Sequence, residues 1–428
     1  DIDSLLYGGK DMQAQIKQFT ATDRSGLTIR SLTGNIESDS SIIQVPQLLL
    51  QTPYSELRLL ATLPWSSFSD EPAGTLRSLL TANLGKEDLF LFMGTLPEQF
   101  KNSYPNKDFT LTAGVEGNLS SLLLRQLKAE LPGVIKIDVS GDLQHVTDSI
   151  RRSGNLKLNA LTGDLNFILS TLPAAEKERY NIPQGMILTG TANLKERGYH
   201  ADLQLLQDKG SIGLTASFNP TFETYKADLK IDSLQPTHFL PKDSLYWLAA
   251  SMQVEGKGFD PFLSSTHAKL DGKINDIRYG TSTVSDVTLT GSLEKNLLKF
   301  DLLSKYPLAK IDMSLNATLY KKEIKAMLIA DVDNFDLYGM HLMNDSLTTS
   351  FQLFAEAETD MGKNNLVDVT LGNWELTNST GTFHPKTLTL HAQSTTDTTR
   401  VSFHAGDLGI ILTGNADLET MINKFSKI

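Results

Sequence analysis

The chain contains no cysteine, and only 8% of its 428 residues are aromatic. The missing cysteine excludes disulfides, zinc–thiolate sites, iron–sulfur clusters and cysteine nucleophiles. It also suits an oxidising compartment, where a chain without thiols forms no stray bridges. Long hydrophobic runs are missing as well. Runs such as Leu89 to Met93 and Leu245 to Ala250 are far shorter than the ~20 residues of a membrane-spanning helix.

Basic residues are in the minority, with 39 Lys and Arg against 50 Asp and Glu and a net charge of −11. A protein that binds phosphate backbones needs a basic face, so the sequence predicts no nucleic-acid partner. The hydrophobic fraction of 40% is too high for a disordered chain.

Motifs that carry catalytic chemistry are also missing. The segment Gly256-Lys257-Gly258 lacks the spacing of a phosphate-binding loop, and the chain has no Gly-x-Ser-x-Gly elbow. Three histidines, His384, His391 and His404, lie near Asp397 but without the spacing of a metal-binding motif, so we interpret them as surface strand residues. We predict a non-enzyme with no catalytic residues, no cofactor and no metal site.

The strongest pattern in the sequence is the alternation of apolar and polar residues. Apolar residues at positions 225, 227, 229 and 231 are separated by polar residues, which is the period of a β-strand with one apolar and one wet face. Similar segments recur every 10 to 15 residues, joined by short turns such as Asp208-Lys209-Gly210, and short turns favour antiparallel neighbours. The pattern predicts about fifteen strands between residues 185 and 416 and about 25 in the whole chain.

A few segments predict other elements. Residues Glu71 to Leu84 have a helical pattern, while Leu89 to Met93 fits either a short buried strand or an apolar turn of helix. The spacing of Leu119, Leu122, Leu123 and Leu127 fits a helix, but alternation on either side of Pro132-Gly133 fits a hairpin, and we favour the hairpin. A recurring pattern, in which Gly and a small polar residue precede Leu and an aliphatic residue three positions later, predicts short helices or turns that begin at Gly74, Gly117, Gly141 and Gly163, with a variant at Asp417-Leu418 to Met421.

These features predict a mainly β fold, a long curled antiparallel sheet of β-groove or taco-like form, with a few short helices. Residues 1–428 show no Pro/Ser linker or charge block, so we expect one continuous repeat-like array without an internal boundary. The chain begins at Asp1, without an initiator methionine, and we interpret it as a segment of a longer protein.

Two stretches carry a family resemblance. The segment from Ser25 to Leu57, which ends in Thr52-Pro53-Tyr54-Ser55-x-Leu57, and the Gly-x-Gly-x-Asp-Pro break within Val254 to Phe262 resemble the TamB branch of the AsmA-like envelope proteins of Gram-negative bacteria. The resemblance implies a long β-groove in the periplasm. It implies that the protein shields or transfers phospholipid acyl chains between the inner and outer membranes and supports outer-membrane assembly, with an outer-membrane barrel as a further partner. It also implies association with membranes through parts missing from this chain.

An aliphatic trough needs only a continuous apolar face, because each lipid methylene that leaves water contributes ~0.8 kcal/mol. We therefore expect one apolar surface to line the groove, formed by Ile212, Leu214, Phe218, Leu229, Ile231, Leu270, Phe300, Ile311, Met313, Leu328 and Leu390.

Two alternatives from other classes share the alternating pattern. One is an outer-membrane β-barrel, which the expected helical turns and the scarcity of aromatic girdles disfavour. The other is a secreted β-rich binding or adhesion module, which should show clustered aromatics or calcium loops.

Overall fold

The computed structural model describes residues 2–8, 11–23, 26–69, 71, 73–362, 364–417 and 420. The fold is mainly β, with antiparallel strands and three short α-helices, which confirms the predicted fold class. Contacts between Cα atoms divide the chain into two compact units. Unit 1 comprises Asp1–Pro220 and Pro236–Asp243, and unit 2 comprises Thr221–Gln235 and Ser244–Ile428. The expectation of one array without an internal boundary stays a prediction.

Unit 1 contains thirteen strands, numbered in chain order. They are β1 (Ile2–Gly8), β2 (Asp11–Thr22), β3 (Thr28–Ser38), β4 (Ile42–Gln51), β5 (Glu56–Pro64), β6 (Leu76–Leu84), β7 (Phe109–Gly117), β8 (Ser121–Leu131), β9 (Ile135–Gln144), β10 (Ser153–Thr162), β11 (Ile187–Lys195), β12 (Gly198–Gln207) and β13 (Gly210–Asn219). From β1 to β13, consecutive strands pair antiparallel.

The helices also belong to unit 1. They are α1 (Lys86–Phe92), α2 (Glu98–Ser103) and α3 (Ala174–Lys177), with 3₁₀ turns at Trp65–Phe68, Asn166–Thr171 and Pro236–His238. All are short, so packing and not intrinsic helix propensity holds them in place.

Unit 2 contains the remaining thirteen strands. They are β14 (Thr224–Leu234), β15 (Leu245–Lys257), β16 (His267–Tyr279), β17 (Ser282–Glu294), β18 (Leu297–Tyr306), β19 (Ala309–Tyr320), β20 (Glu323–Asp336), β21 (Leu347–Thr359), β22 (Asn365–Asn378), β23 (Gly381–Phe383), β24 (Leu388–Ser394), β25 (Thr399–Ala405) and β26 (Leu408–Gly414). Neighbours in the chain again pair antiparallel, except that β22 pairs with both the short β23 and β24.

The predicted hairpin across Pro132-Gly133 is confirmed, since β8 and β9 pair on either side of it. The predicted helix from Glu71 to Leu84 is wrong, because Leu76–Leu84 forms strand β6. The leucines at 76, 79 and 80 also have helical spacing, but Leu80 pairs with β5 and β7 on one face of the sheet while Leu79 lies on the other, 36% exposed. Ladder pairing with two neighbours overrides the local helical pattern.

For Leu89 to Met93, the structure selects helix over strand, because α1 spans Lys86–Phe92. Among the copies that begin at Gly74, Gly117, Gly141 and Gly163, the one at Gly163 leads into helical structure, the 3₁₀ turn Asn166–Thr171. A Cβ at Gly163 would lie 2.1 Å from the carbonyl oxygen of Gly133, so this position has no room for a side chain.

Two further copies lie in turns, as the prediction allowed: Gly74 is in the bend before β6, and Gly117 ends β7 at the turn to β8, where the backbones of Asn118 and Ser121 are hydrogen-bonded to each other. The prediction is wrong for Gly141, which lies within β9. Leu418 and Met421 of the C-terminal variant lie outside the described residues.

Unit 1 contains a single clustered core among the described residues, where α1, α2 and the 3₁₀ turn Asn166–Thr171 meet strands β8 and β9. Tyr104, Leu131 and Val134 are buried at its centre. The Tyr104 ring makes edge-to-face contacts with Phe90 and Phe167, with centroids 5.2 and 5.4 Å apart. Such aromatic pairs stabilise beyond the area that they bury.

Candidate functional site

The structure places eight of the eleven residues predicted to line a groove on one face of unit 2. In antiparallel strands, residues that lie directly opposite one another point to the same side of the sheet. Following the pairing from β14 to β26 therefore places the following residues on one face, which we call the unit-2 apolar face: Leu229, Ile231, Leu270, Phe300, Ile311, Met313, Leu328 and Leu390.

One row of directly paired residues crosses unit 2 without interruption, through every strand except the short β23. It runs Ala227, Val254, Leu270, Gly291, Phe300, Leu315, Leu328, Ala355, Val369, Leu390, Phe403 and Ile410. Every member is apolar or glycine, so the row forms a continuous apolar surface that runs perpendicular to the strands.

The other three predicted residues, Ile212, Leu214 and Phe218, lie on one face of β13 in unit 1. The same face, which we call the unit-1 apolar face, carries a second unbroken row. It runs Leu214, Leu203, Gly190, Leu158, Val139, Leu127, Ala113, Leu80, Leu59, Leu48, Gly34 and Ile16.

These faces are not covered like a globular core. All eleven predicted residues are half-buried, and other members of the unit-2 apolar face are more open, with Met252 39% and Ile410 43% exposed. The three α-helices and three 3₁₀ turns given above all belong to unit 1. A sheet face with this much apolar surface in contact with solvent indicates a binding surface.

The opposite face of unit 2 is polar and carries ion pairs along and across the strands. Lys226 lies 3.4 Å from Glu255 on the neighbouring strand. Lys325 lies 3.1 Å from Glu323 and 3.2 Å from Glu358, and its hydrogen bonds to these carboxylates raise the pKa of the ammonium group. These ion pairs are exposed to solvent, so each contributes little stability. Their charged groups remain hydrated on this face of the sheet.

The polar face of unit 1 contains a tighter network. Glu116 accepts from Arg77 at 3.1 Å and from Arg125 at 2.9 Å, and hydrogen bonds from these guanidinium groups lower the pKa of its carboxyl, with Arg125 having the larger effect. The face of unit 1 opposite the apolar row thus carries charged side chains among its exposed residues.

Two of the three histidines considered as metal ligands, His384 and His391, lie beside carboxylates. His391 Nδ1 lies 2.6 Å from Asp368 Oδ1, and His384 Nδ1 lies 3.7 Å from Glu375 Oε2. In the part of the chain that the structure describes, no three or more potential metal ligands come together.

One polar cluster escaped sequence reasoning. Asp88 of α1 is 3% exposed and accepts hydrogen bonds from the hydroxyls of Thr52 and Ser55, the latter at 2.6 Å. The backbone amide of Gly85 in turn donates to the Ser55 hydroxyl at 3.1 Å. The cluster fastens α1 to the turn before β5. The motif Thr52-Pro53-Tyr54-Ser55 was its only sequence signal, because nothing local relates it to position 88.

Among the described residues, no helix has the length and apolar character required to cross a membrane.

Sequence and structure comparisons identify no relative of this chain. No family model, no curated protein and no solved structure matches it, so the resemblance to the TamB branch stays a prediction.

Proposed function

We propose that this chain is a non-enzymatic conduit that shields phospholipid acyl chains from water. The observation that supports the proposal is the pair of unbroken apolar rows, whose residues are half-buried or exposed and not enclosed in a core. An acyl chain laid across such a row exchanges contact with water for contact with aliphatic side chains.

The energy of that exchange is large compared with what a single polar contact supplies. Burial of methylenes contributes ~0.8 kcal/mol each, so a chain of about 16 carbons gains on the order of 12 kcal/mol before the costs of ordering are subtracted. Binding of this kind depends on continuity of the apolar surface and needs no fixed motif, which agrees with the absence of a catalytic pattern in the sequence.

The cellular setting of the proposal comes from the family resemblance. It places the conduit in the periplasm of a Gram-negative bacterium, between the inner and outer membranes, where it would carry phospholipid and support outer-membrane assembly with a partner barrel.

Native mass spectrometry of the chain purified from a bacterial host tests the proposal. We expect co-purified phospholipid on the wild-type chain and its loss when Leu315→Asp and Leu328→Asp are combined. These two residues are direct partners in the unit-2 row, so the double variant places two carboxylates in the apolar path.

The matched control combines Asn316→Asp and Met327→Asp, which are direct partners on the opposite face of the same two strands. It adds the same charges and should keep its lipid, while circular dichroism checks the strand content of both variants. A wild-type chain without lipid, or equal lipid loss in both folded double variants, would contradict the proposal.

A further inference from the structure

Unit 1 contains an apolar depression on its apolar face, between strands β9 and β13, with a volume of about 490 Å³. Its floor lies at Ala201, which pairs directly with Ala192 on one side and Ala216 on the other. Its walls are formed by larger side chains, which include Leu143, Leu156, Leu194, Tyr199 and Phe218.

The walls have a clear structural origin. Tyr199 and Phe218 are direct cross-strand partners, so two aromatic side chains stand side by side at the end of β12 and β13. Leu194 pairs with Tyr199 and continues the same wall onto β11. The depression remains open to solvent, because the Tyr199 side chain is 46% exposed and Ala192 is also exposed.

The volume and chemistry of this depression select a class of ligand. Ligand sites in proteins span ~300–1,000 Å³ and are mostly apolar, with a few polar groups that fix orientation. A depression lined almost entirely by aliphatic and aromatic carbon suits a flexible hydrocarbon chain better than a polar metabolite.

Positive charge lies at the same end of the strands. Arg151 and Arg152 directly precede β10, Lys195 ends β11, and Glu196 and Arg197 form the turn to β12. Gly154 of β10 pairs with Leu194 of β11, so these two basic segments lie next to each other beside the depression.

Two of these cations are not neutralised by a carboxylate. Arg151 is bound by Asp148 at 2.6 Å, and Lys195 lies 3.9 Å from Glu196. Arg152 and Arg197 are exposed and form no ion pair with any residue that the structure describes. An apolar depression with two uncompensated guanidinium groups at its end complements an amphiphile with a hydrocarbon chain and an anionic head.

We infer that this depression binds an acyl chain of an anionic phospholipid, with the lipid phosphate held by Arg152 and Arg197. The inference rests on the proposed function and narrows it, because it assigns a lipid class and a discrete position in unit 1. The remainder of the apolar faces then binds acyl chains without selecting the headgroup.

Photocrosslinking with a lipid probe tests the inference. The probe is phosphatidylglycerol with a photoreactive diazirine on one acyl chain, in vesicles of unlabelled phosphatidylcholine. The comparison sample contains diazirine-labelled phosphatidylcholine together with unlabelled phosphatidylglycerol. After irradiation, mass spectrometry locates the crosslinked peptides in the full chain. We expect crosslinks from labelled phosphatidylglycerol to concentrate on peptides from β9 to β13.

Two variants separate the hydrocarbon site from the headgroup site. Ala201→Leu fills the floor and should lower crosslinking within β9 to β13 about tenfold, while crosslinks to unit 2 persist. Ala357→Leu is the matched control, because it adds the same carbons to an exposed position of the unit-2 apolar face. Combining Arg152→Gln with Arg197→Gln should reduce labelling by phosphatidylglycerol to the level of phosphatidylcholine.

The outcomes distinguish this inference from the proposed function. Crosslinks that are confined to unit 2, or that do not change with Ala201→Leu, overturn the depression as a site and leave the conduit intact. Equal labelling by both lipids in the wild-type chain overturns the selection of anionic headgroups. A chain that crosslinks to neither lipid overturns both the inference and the proposed function.

Discussion

At the scale of single residues, the carboxylate of Asp88 is held in one place by its hydrogen bonds. It is buried, it carries the hydrogen bonds of Thr52 and Ser55, and it joins a helix to a turn 33 residues earlier in the chain. A buried polar group that loses its partner costs more free energy than the hydrogen bond itself contributes.

We predict that Asp88→Ala lowers the stability of this region by about 1–3 kcal/mol, because two buried hydroxyls lose their acceptor. Hydrogen exchange at the amides of α1 and of the turn Thr52 to Ser55 measures the effect. Glu87→Ala is the control, since Glu87 is the exposed neighbour on the same helix. Equal exchange rates in the two variants would show that Asp88 does not fasten the helix.

The buried hydroxyl of Tyr104 makes the stability of unit 1 depend on pH in the alkaline range. Burial raises the pKa of its hydroxyl above the usual value of 10.0. The folded state therefore holds the proton more tightly than the unfolded state, and the stability from this group is complete below about pH 10 and is lost as pH rises through the folded pKa.

We predict that Tyr104→Phe reduces the loss of stability of unit 1 above pH 10, with little change at pH 7. Urea unfolding at a series of pH values, followed by hydrogen exchange in β8 and β9, measures it. Tyr54→Phe serves as the control because the Tyr54 side chain is 55% exposed. If the free energy of unfolding of Tyr104→Phe falls above pH 10 as steeply as that of the wild-type chain, other groups cause the loss of stability.

At the scale of elements, the terminal strand β26 differs from its neighbours. It pairs with β25 alone among the described residues, and its large side chains are exposed, with Leu408 at 54% and Ile411 at 55%. It contains no charged residue and no proline. Edge strands with these properties pair readily with further strands, because their outer amides and carbonyls are unpaired.

We predict that the chain self-associates with rising concentration and that Ile411→Lys weakens this association, because a lysine on an edge opposes strand pairing. Sedimentation velocity over a range of concentrations measures the effect. Ile329→Lys removes a comparable exposed isoleucine from β20, a strand with partners on both sides, and should change association less. If both lysine variants behave alike, exposed apolar area and not the strand edge causes the association.

The elements also show which parts of the fold the sequence could predict. Strands of unit 2 such as Thr224–Leu234 were recognisable because successive side chains lie on opposite faces of the sheet. Polar and apolar residues therefore alternate along the sequence of the strand. Strand β6 was not, because its leucines satisfy two periods and only pairing with β5 and β7 decides between them. The depression in unit 1 was equally invisible, since it arises where residues of five strands meet.

At the scale of the whole molecule, pairing between neighbours in the chain dominates each unit. Repeating structures of this type are stabilised by local interfaces, so a defect should disturb the adjacent strands and fade with distance. Cooperativity over an entire unit is not required by the topology.

We predict that Val332→Ala, at a buried position of β20, costs about 1–3 kcal/mol and accelerates hydrogen exchange in β19, β20 and β21 while β24 and β25 are unaffected. Its direct partners are Ile311 and Phe351. Asp333→Ala, at the exposed next position, is the control. Uniform acceleration across β14 to β26 would instead show that unit 2 unfolds as a single block.

The order of pairing has a consequence for how the chain is made. Within each unit, almost every strand pairs with the one synthesised just before it, so a new strand finds its partner already present as it emerges. Short loops close quickly and keep the entropy cost of each addition small. Assembly within each unit can therefore follow synthesis, and the growing end of the sheet exposes a single strand edge at any moment instead of many.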